Sequence, residues 1–275
     1  MAVPDDYELV DAGDGRRLER FGERLVDRPA PGATGPPGLA AAWRDADLRF
    51  DRHAGWTGPV EPWQVAVDGL TLELRPTEAG QVGLFPEHRV FWPAFPGALE
   101  DRPGAEVLNL FAATGAPTLA LVTEGARVTH VDAARSAVAW ARRNAELSGL
   151  GDRPVRWIVD EAAAYVARER RRDRRYRAVL LDPPSYGHGA GRAWRLDDDL
   201  PDLLAACASL VEPGGWLLVT VHTTGWDADR LAATVDDVVG TRASVGEIEA
   251  GDLVLGARSG TSLALGSFAR VIIAR

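Results

Sequence analysis

Four short apolar segments between residues 106 and 186 each end in a polar turn. The turns contain, in order, Gly115 with small neighbours, Asp132, Asp160 and the sequence Asp182-Pro-Pro-Ser-Tyr186. A glycine lets a ligand approach the backbone closely, a carboxylate at a strand end accepts ribose hydroxyls, and a tyrosine ring can stack on a planar base. These residue types in this order predict a site for a nucleotide-like cofactor with a substrate beside it.

The segments that carry these turns follow a strand–helix alternation. Such alternation forms a parallel sheet with right-handed crossovers, and ligands bind at the carboxyl ends of its strands. We therefore predict an α/β fold, a Rossmann-like doubly wound seven-stranded sheet, over residues 101–275. The predicted helices are Pro117–Glu124, Ser136–Leu147, Glu161–Arg172, Leu200–Leu210 and Ala228–Val239. The later strands are Trp216–Val221, Glu247–Leu255 and Ser267–Ala274, the last two as an antiparallel hairpin.

Residues 1–100 have a different texture. The segment Arg28–Gly38 is rich in proline and glycine and predicts a surface loop, while Leu39–Phe50 is compatible with a short helix. Asp68-Gly69 between Trp63–Val67 and Leu70–Leu74 is a strong hairpin signal. We predict a small β-rich N-terminal region that caps the main domain and takes part in substrate recognition. The segment 101–104 would link the two.

Composition narrows the class of protein. The chain has 275 residues, of which 46% are apolar and 26% charged, as in soluble globular proteins. No apolar stretch is long enough for a membrane span, and the N-terminus lacks a signal-peptide pattern, which predicts a cytoplasmic location. The single cysteine, Cys207, excludes an intramolecular disulfide and a cysteine-built zinc site, and we assign no metal ligands. The net charge of −9 argues against binding of bulk nucleic acid.

The turn after the fourth segment is the most specific motif. Asp182 emerges directly from the apolar run Ala178–Leu181, and the two following prolines stiffen the turn and remove two backbone donors. We expect Asp182 and the Pro183 carbonyl to position a nitrogen nucleophile, with Tyr186 stacked on its ring. The alternative is a rigid turn with a buried tyrosine.

The other three turns have structural alternatives as well. The turn at Gly115 is explained equally well as a tight connection from strand to helix, with Pro117 in the first helical turn. Asp132 and Asp160 are each suited to be the N-cap of the helix that follows. The ordered succession of the turns favours the ligand-binding interpretation over each separate alternative.

Residues 106–225 resemble the class I S-adenosylmethionine (SAM)-dependent methyltransferases, and more narrowly the bacterial large-subunit ribosomal RNA methyltransferases. The segments that carry the resemblance are Leu108–Gly115, Val131-Asp132, Ala141–Asn144, Asp182–Tyr186 and, upstream, Gly83–His88. The resemblance implies SAM as the cofactor and an RNA substrate. It also implies a set of cofactor-binding residues, which are Phe85, Asn109, Phe111, Thr114, Gly115, Asp132, Asp160 and Asp182. Asp132 would bind the ribose, Asp160 the adenine edge, and the helix after Gly115 the methionine carboxylate.

The sequence departs from this family pattern at two places. Ala116 stands where the subgroup usually has a second glycine, which is tolerable if its φ is negative. The cytosine-modifying members carry a nucleophilic cysteine after the fifth strand, but here that segment is Leu218–Gly225 without a cysteine. Cys207 lies in an apolar predicted helix and fits a buried structural role. We therefore expect direct methyl transfer without covalent attack on a pyrimidine.

Three further features leave their interpretation open. His222, just past the fifth strand, is either a general base or a polar strand-end residue, and His188 lies in a glycine-rich loop that could act as a lid. The segment Arg168–Arg177 holds seven arginines and could attract RNA phosphates. Because it precedes the fourth strand, we expect it at the opposite end of the sheet, as a solvated helix end.

Other functions remain compatible with the same turns. A methyltransferase for a small molecule or a protein side chain would use the same cofactor site, and the acidic net charge favours these substrates over RNA. A SAM-binding module without catalysis is a further alternative, motivated by the missing cysteine. A nicotinamide oxidoreductase is disfavoured because the three-glycine dinucleotide fingerprint is absent.

Overall fold

The fold is given by a computed structural model that describes residues 6–95, 99, 102, 104–187, 193–240 and 245–274. The chain divides into two compact units. One comprises Met1–Arg89, Arg143–Gly151 and Leu253–Leu265, and the other comprises Val90–Arg142, Asp152–Asp252 and Gly266–Arg275. The predicted boundary near residue 100 and the linker at 101–104 stay predictions, and Asp101 and Pro103 lie outside the described residues. Within the described part of the chain, no helix is both long and apolar enough to cross a membrane.

The N-terminal part of the chain is built from strands, as the sequence predicts. Five of them form one sheet in chain order, and the other two form a separate hairpin. The sheet strands are β1 (Tyr7–Gly13), β2 (Arg16–Phe21), β3 (Arg24–Pro29), β4 (Leu48–Asp51) and β5 (Gly55–Thr57). The hairpin consists of β6 (Trp63–Val67) and β7 (Leu70–Leu74), joined at Asp68-Gly69, which confirms the hairpin prediction.

The helix expected over Leu39–Phe50 is wrong. Only Ala42–Asp45 forms a short 3₁₀ helix, and β4 begins at Leu48. Side-chain hydrogen bonds compete with helix formation here, because the Asp11 carboxylate on β1 accepts from the Leu39 N–H at 2.7 Å and from the Trp43 indole N–H at 2.8 Å. The segment is thereby fixed to the sheet rather than left to form a helix of its own.

The rest of the chain alternates strands and helices. Its elements in chain order are β8 (Glu106–Leu110), α1 (Ala116–Thr123), β9 (Arg127–Asp132), α2 (Arg135–Leu147), β10 (Val155–Val159), α3 (Ala162–Arg171), β11 (Tyr176–Leu181), β12 (Tyr186–Gly187), β13 (Trp194–Arg195), α4 (Leu196–Ala208), β14 (Val211–Val221), α5 (Ala228–Val235), β15 (Val245–Gly256) and β16 (Ser262–Ile273). A 3₁₀ helix at Pro86–Ala94 precedes β8, and a π-helical turn at Asp236–Gly240 follows α5.

The seven-stranded sheet is confirmed, with the order β10-β9-β8-β11-β14-β16-β15. The strands from β10 to β14 run parallel, and β16 is antiparallel to β14. The chain builds outward from β8 to β9 and β10, then returns to β11 on the other side of β8. The switch point of the topology therefore lies between β8 and β11, where ligands bind in sheets of this type.

The core of this sheet is apolar on both faces. Leu108, Val179 and Leu217 on adjacent strands are fully buried, and Leu200 and Leu204 of α4 are fully buried as well. Full burial of one such side chain contributes about 1.5–3 kcal/mol relative to exposure. The continuous apolar runs in the sequence are therefore strands covered by helices on both sides, which leaves polar side chains at the strand ends.

Some predicted bounds differ from those of the structure. Helix α4 begins four residues earlier than Leu200, because three consecutive aspartates, Asp197–Asp199, occupy its first turn, where carboxylates are favourable. Strand β14 begins at Val211 rather than Trp216 and takes up the Pro-Gly-Gly sequence as an irregularity in its pairing with β11. The remaining helices agree with prediction to within a few residues.

Candidate cofactor and substrate site

The turn after β8 has an unusual backbone. Phe111 and Ala113 have positive φ values of 54° and 46°, and Gly115 has a φ of 89°. Left-handed conformations cost non-glycine residues on the order of 1–3 kcal/mol, and they cluster at ligand-binding sites. Gly115 also has a packing reason, because a Cβ there would lie 2.9 Å from the Cβ of Ala141 in α2. Ala116 is the first residue of α1, so the departure from the glycine pair is accommodated.

Asp132 stabilises this turn from the end of β9. Its Oδ2 accepts the Ala113 N–H at 2.9 Å, and its Oδ1 accepts the Ala134 N–H at 2.8 Å. The second bond closes a local turn before α2, which begins at Arg135, so Asp132 is not the N-cap that the alternative predicted. The first bond ties β9 to the turn after β8. The side chain is partly exposed, and a carboxylate oxygen has the capacity to accept more than one hydrogen bond. Asp132 therefore fits a role as acceptor for ribose hydroxyls.

A buried polar network supports the turn from below. Asn109 Nδ2 donates to Thr118 Oγ1 at 2.9 Å, and Thr118 Oγ1 lies 3.0 Å from His130 Nδ1. The three residues connect β8, α1 and β9. Burial lowers the pKa of His130 from 6.5 to about 3, so the ring is neutral at physiological pH. Sequence analysis missed Thr118 and His130, and their only signal is a polar residue inside an otherwise apolar segment.

The remaining predicted cofactor residues lie in different surroundings. Asn109 is buried in this network, and Thr114 is buried within the turn. The Phe111 ring packs against Trp194 with centroids 5.5 Å apart. Phe85 belongs to the other compact unit, where its ring stacks on His88 at 5.8 Å. Their roles toward the cofactor stay predictions.

Asp160 follows β10, next to Asp132 in space. Its backbone N–H donates to the Asp132 carbonyl at 3.0 Å, and its Oδ1 accepts the Glu161 N–H at 2.9 Å. Its other carboxylate oxygen forms an ion pair with Arg168. The expectation that the whole arginine segment lies at the opposite end of the sheet is therefore wrong for Arg168, whose long side chain reaches the residue after β10.

The Asp182 carboxylate is held from the neighbouring strand. Thr220 Oγ1 donates to Asp182 Oδ1 at 2.7 Å, and His222 Nε2 lies 3.2 Å from the same oxygen. Strands β11 and β14 run parallel with Leu181 opposite Val219, so Asp182 and His222 leave the sheet at the same edge. The Asp182 side chain is 27% exposed, which leaves it accessible to a substrate.

The rest of this turn is rigid, with an exposed aromatic ring. Pro183 is buried, and the Pro184 carbonyl accepts the indole N–H of Trp194 at 2.7 Å. Tyr186 is 50% exposed, in contrast to the alternative in which it is buried. Trp194 contacts the Asp182–Tyr186 turn through its indole N–H, and it contacts Phe111 in the turn after β8 through its ring. It connects the two candidate binding turns and is a third residue that sequence analysis missed.

Three other residues or segments of interest can be placed. Cys207 is fully buried in α4, and burial raises the pKa of its thiol. His188 lies outside the described residues. In the arginine segment, besides Arg168, several guanidinium groups form ion pairs with acidic side chains. These pairs are Arg172 with Glu169, Arg174 with Glu106, and Arg175 with Asp173.

Comparisons with known proteins agree with this geometry. Residues 14–242 match the family model described as S-adenosylmethionine-dependent methyltransferase. A crystal structure of a SAM-dependent methyltransferase from Agrobacterium tumefaciens superposes with a TM-score of 0.89 at 34% identity, covering 98% of this chain and 91% of that one. A methyltransferase from Streptococcus mutans has the same fold, with a TM-score of 0.79 at 15% identity, over 98% of this chain and 75% of that one.

Among curated proteins, a similar relative is the ribosomal RNA large subunit methyltransferase K/L of Methylococcus capsulatus. It is 33% identical over 162 residues, which are 57% of this chain. The match covers only 22% of the length of that relative, so this chain corresponds to a small part of it.

The chain belongs to the S-adenosylmethionine-dependent methyltransferase family. It is an enzyme of this class, and SAM is its cofactor. The described residues fit that molecule. Asp132 has partly exposed carboxylate oxygens of the kind that accept hydroxyl groups, and α1 begins at Ala116, after Gly115, without a side-chain cap on its first turn. Its N–H groups at that end are suited to a carboxylate such as that of the methionine part.

Proposed function

We propose that this methyltransferase transfers the methyl group of SAM directly to a nitrogen atom of a base in RNA, without a cysteine nucleophile. The observation that carries the proposal is the Asp182 turn. A partly exposed aspartate, fixed by a donor from the next strand, begins the short turn that carries the exposed ring of Tyr186 four residues later. A carboxylate of this kind accepts an N–H group, and an exposed aromatic ring offers a stacking surface for a planar base.

SAM supplies an electrophilic methyl group when it is bound. The protein then has to align the nucleophile with that group, and such alignment is worth about 7–11 kcal/mol of the barrier. We assign this task to Asp182, which would orient the amine, to the Pro183 carbonyl, which would accept a second N–H, and to Tyr186, which would fix the plane of the base.

The cofactor would be held by the turns at the other strand ends. We propose Asp132 for the ribose, Asp160 for the adenine edge, and the first turn of α1, with Thr114 and Gly115, for the methionine part. Phe85, Asn109 and Phe111 complete the proposed set by resemblance, with Asn109 acting from beneath the turn through Thr118.

The absence of a covalent step rests on Cys207. It is the single cysteine of the chain, it is fully buried, and its raised pKa keeps it as an unreactive thiol. A Cys207→Ala variant is therefore expected to keep its methyl-transfer activity. Loss of activity with an intact fold would contradict direct transfer.

RNA is proposed as the substrate because the curated relatives are named as ribosomal RNA methyltransferases. We further propose that residues 1–100 contribute to its recognition. A second candidate, a small molecule or a protein side chain, is favoured by the net charge of −9 and by the ion pairing within the arginine segment.

The two candidates are separated by radiolabel transfer. Tritium from the methyl group of SAM is followed into RNA, protein and small-molecule fractions of cells that lack the gene. Label that nuclease renders acid-soluble, and that an Asp182→Ala variant does not incorporate, is the expected result. Label confined to the protein or metabolite fraction would contradict an RNA substrate.

A further inference from the structure

The proposed roles in cofactor and substrate binding do not include His222. It follows β14 directly, two residues after Thr220. Alternate residues of an extended strand point to the same face, so Thr220 and His222 both reach the residue that follows β11. The side chains of His222 and Asp182 are 28% and 27% exposed, which places the pair at the accessible edge of the sheet.

The contact fixes the chemistry of the ring. Asp182 Oδ1 is an acceptor, and it receives the Thr220 hydroxyl at 2.7 Å. His222 Nε2, at 3.2 Å from the same oxygen, makes a hydrogen bond only if it carries the proton. A neutral imidazole with its proton on Nε2 has Nδ1 as the acceptor. For a neutral ring, this hydrogen bond requires the tautomer with its proton on Nε2.

Two neighbouring features border the His222 ring and the Asp182 turn. A Cβ at Gly266 in β16 would lie 3.0 Å from His222 Nδ1, so only glycine leaves full room for the ring there. Ser185 Oγ and Thr223 Oγ1 lie 2.6 Å apart, which joins the Asp182 turn to the residue after His222. The His222–Asp182 contact thus joins the same two segments as the Ser185–Thr223 contact.

We propose that His222 is a positioning residue for methyl transfer, which donates its Nε2 proton to Asp182 and holds that carboxylate ready to receive the substrate. The inference rests on the proposed role of Asp182 toward a substrate N–H. With two donors on Oδ1, the carboxylate is confined to one orientation, and a hydrogen bond to a charged group is stronger than one between neutral groups.

A spectroscopic test of the tautomer needs no substrate. The chain contains five histidines, so long-range proton–nitrogen correlation spectra of uniformly ¹⁵N-labelled protein resolve each ring. The His222 signal is assigned as the one missing in His222→Gln. The proposal expects the Nε2–H pattern for this ring at pH 8.5 and its change in Asp182→Ala. An Nδ1–H pattern, or a spectrum unchanged by Asp182→Ala, would overturn it.

Kinetics test the consequence. His222→Leu is expected to lower kcat by about 10-fold to 100-fold, the effect of losing one hydrogen bond to a charged group, with SAM affinity within about 2-fold of wild type. His222→Gln, which retains an N–H donor, should recover part of kcat. Asp229→Ala, at an exposed aspartate of α5, is the control. Wild-type kcat in His222→Leu would overturn the proposal.

The two arms also separate this inference from the proposed function. If wild-type protein labels no RNA but the tautomer result holds, the RNA proposal fails and the His222–Asp182 bond stands. If RNA is labelled equally by wild type and His222→Leu, the positioning role fails and the proposed function stands.

Discussion

Asp132 binds the backbone N–H of Ala113 at 2.9 Å and so connects the end of β9 to the turn after β8. Ala113 has a positive φ of 46°, an unfavourable conformation for alanine that this hydrogen bond helps to maintain. The same carboxylate is our candidate for the ribose. One side chain therefore shapes the turn after β8 and has acceptor oxygens at the end of β9, while its role toward the ribose stays a prediction.

Gly115→Ala should destabilise the fold more than an alanine substitution at another positive-φ glycine where backbone strain is the single cost. Alanine at a φ of 89° costs about 1–2 kcal/mol, and the new Cβ would also approach Ala141 to 2.9 Å. Gly125→Ala is the control, because its φ of 86° is similar but no atom lies within 4 Å of the added Cβ. Urea unfolding measures both. Equal losses of unfolding free energy would show that the contact with Ala141 is harmless.

His130 should make the fold sensitive to acid. Its pKa is lowered from 6.5 to about 3 in the folded protein, because burial disfavours the charged ring. At a pH between these two pKa values, the unfolded chain therefore binds one more proton than the folded protein. The stability that the neutral, buried His130 ring contributes is fully present above pH 6.5 and is lost as the pH falls toward 3. At pH 5 the loss is about 2 kcal/mol.

The measurement compares the unfolding free energy at pH 7 and pH 5 for wild type and His130→Gln. The wild type should lose about 2 kcal/mol more than the variant over this interval. An identical pH dependence in the two proteins would show that His130 titrates normally. Because Gln keeps a polar group near Thr118, the comparison separates the effect of protonating His130 from the effect of changed packing.

Asp182→Ala should abolish most of the methyl transfer. Removing one preorganised electrostatic group from an active site typically costs about 100-fold to 1000-fold in kcat. Single-turnover incorporation of labelled methyl groups measures the effect. Asp229→Ala, an exposed aspartate in the first turn of α5, is the control and should behave as wild type. Full turnover in Asp182→Ala would contradict the assignment of the nucleophile position.

Tyr186 should act through its ring rather than its hydroxyl. Stacking of a base on an aromatic ring is worth about 1–3 kcal/mol, so Tyr186→Ala should raise the KM for the base-containing substrate by about 5-fold to 100-fold. Tyr186→Phe keeps the ring and should resemble wild type. Since the side chain is 50% exposed, neither change should affect folding. An unchanged KM in Tyr186→Ala would contradict stacking of the base on this ring.

The sequence sufficed to predict the sheet and its strand-end aspartates, because buried parallel strands are continuous apolar runs and the first polar residue after each marks its end. It could not predict the network of Asn109, Thr118 and His130, since the three residues are separated along the chain and meet only through the crossover of α1. Trp194 was missed for the same reason, as its partners Phe111 and Pro184 lie in two other turns.

The helix predicted over Leu39–Phe50 is absent for a related physical reason. Local composition permitted a helix, but the hydrogen bonds from Leu39 and Trp43 to Asp11 determine the path of the segment. These contacts span about thirty residues of sequence, so no local pattern reports them. Tertiary hydrogen bonding thus overrides a weak helical preference.

We propose that SAM binds at the ends of β8, β9 and β10, with the Asp132 carboxylate accepting hydrogen bonds from the ribose hydroxyls. Calorimetric titration of SAM into the wild type, Asp132→Ala and Asp132→Asn tests it most directly, with circular dichroism to verify that each variant is folded. We expect micromolar binding by the wild type and a loss of at least about tenfold in Asp132→Ala, as for a charged hydrogen-bond acceptor. Wild-type affinity in a folded Asp132→Ala variant would contradict this placement of the cofactor.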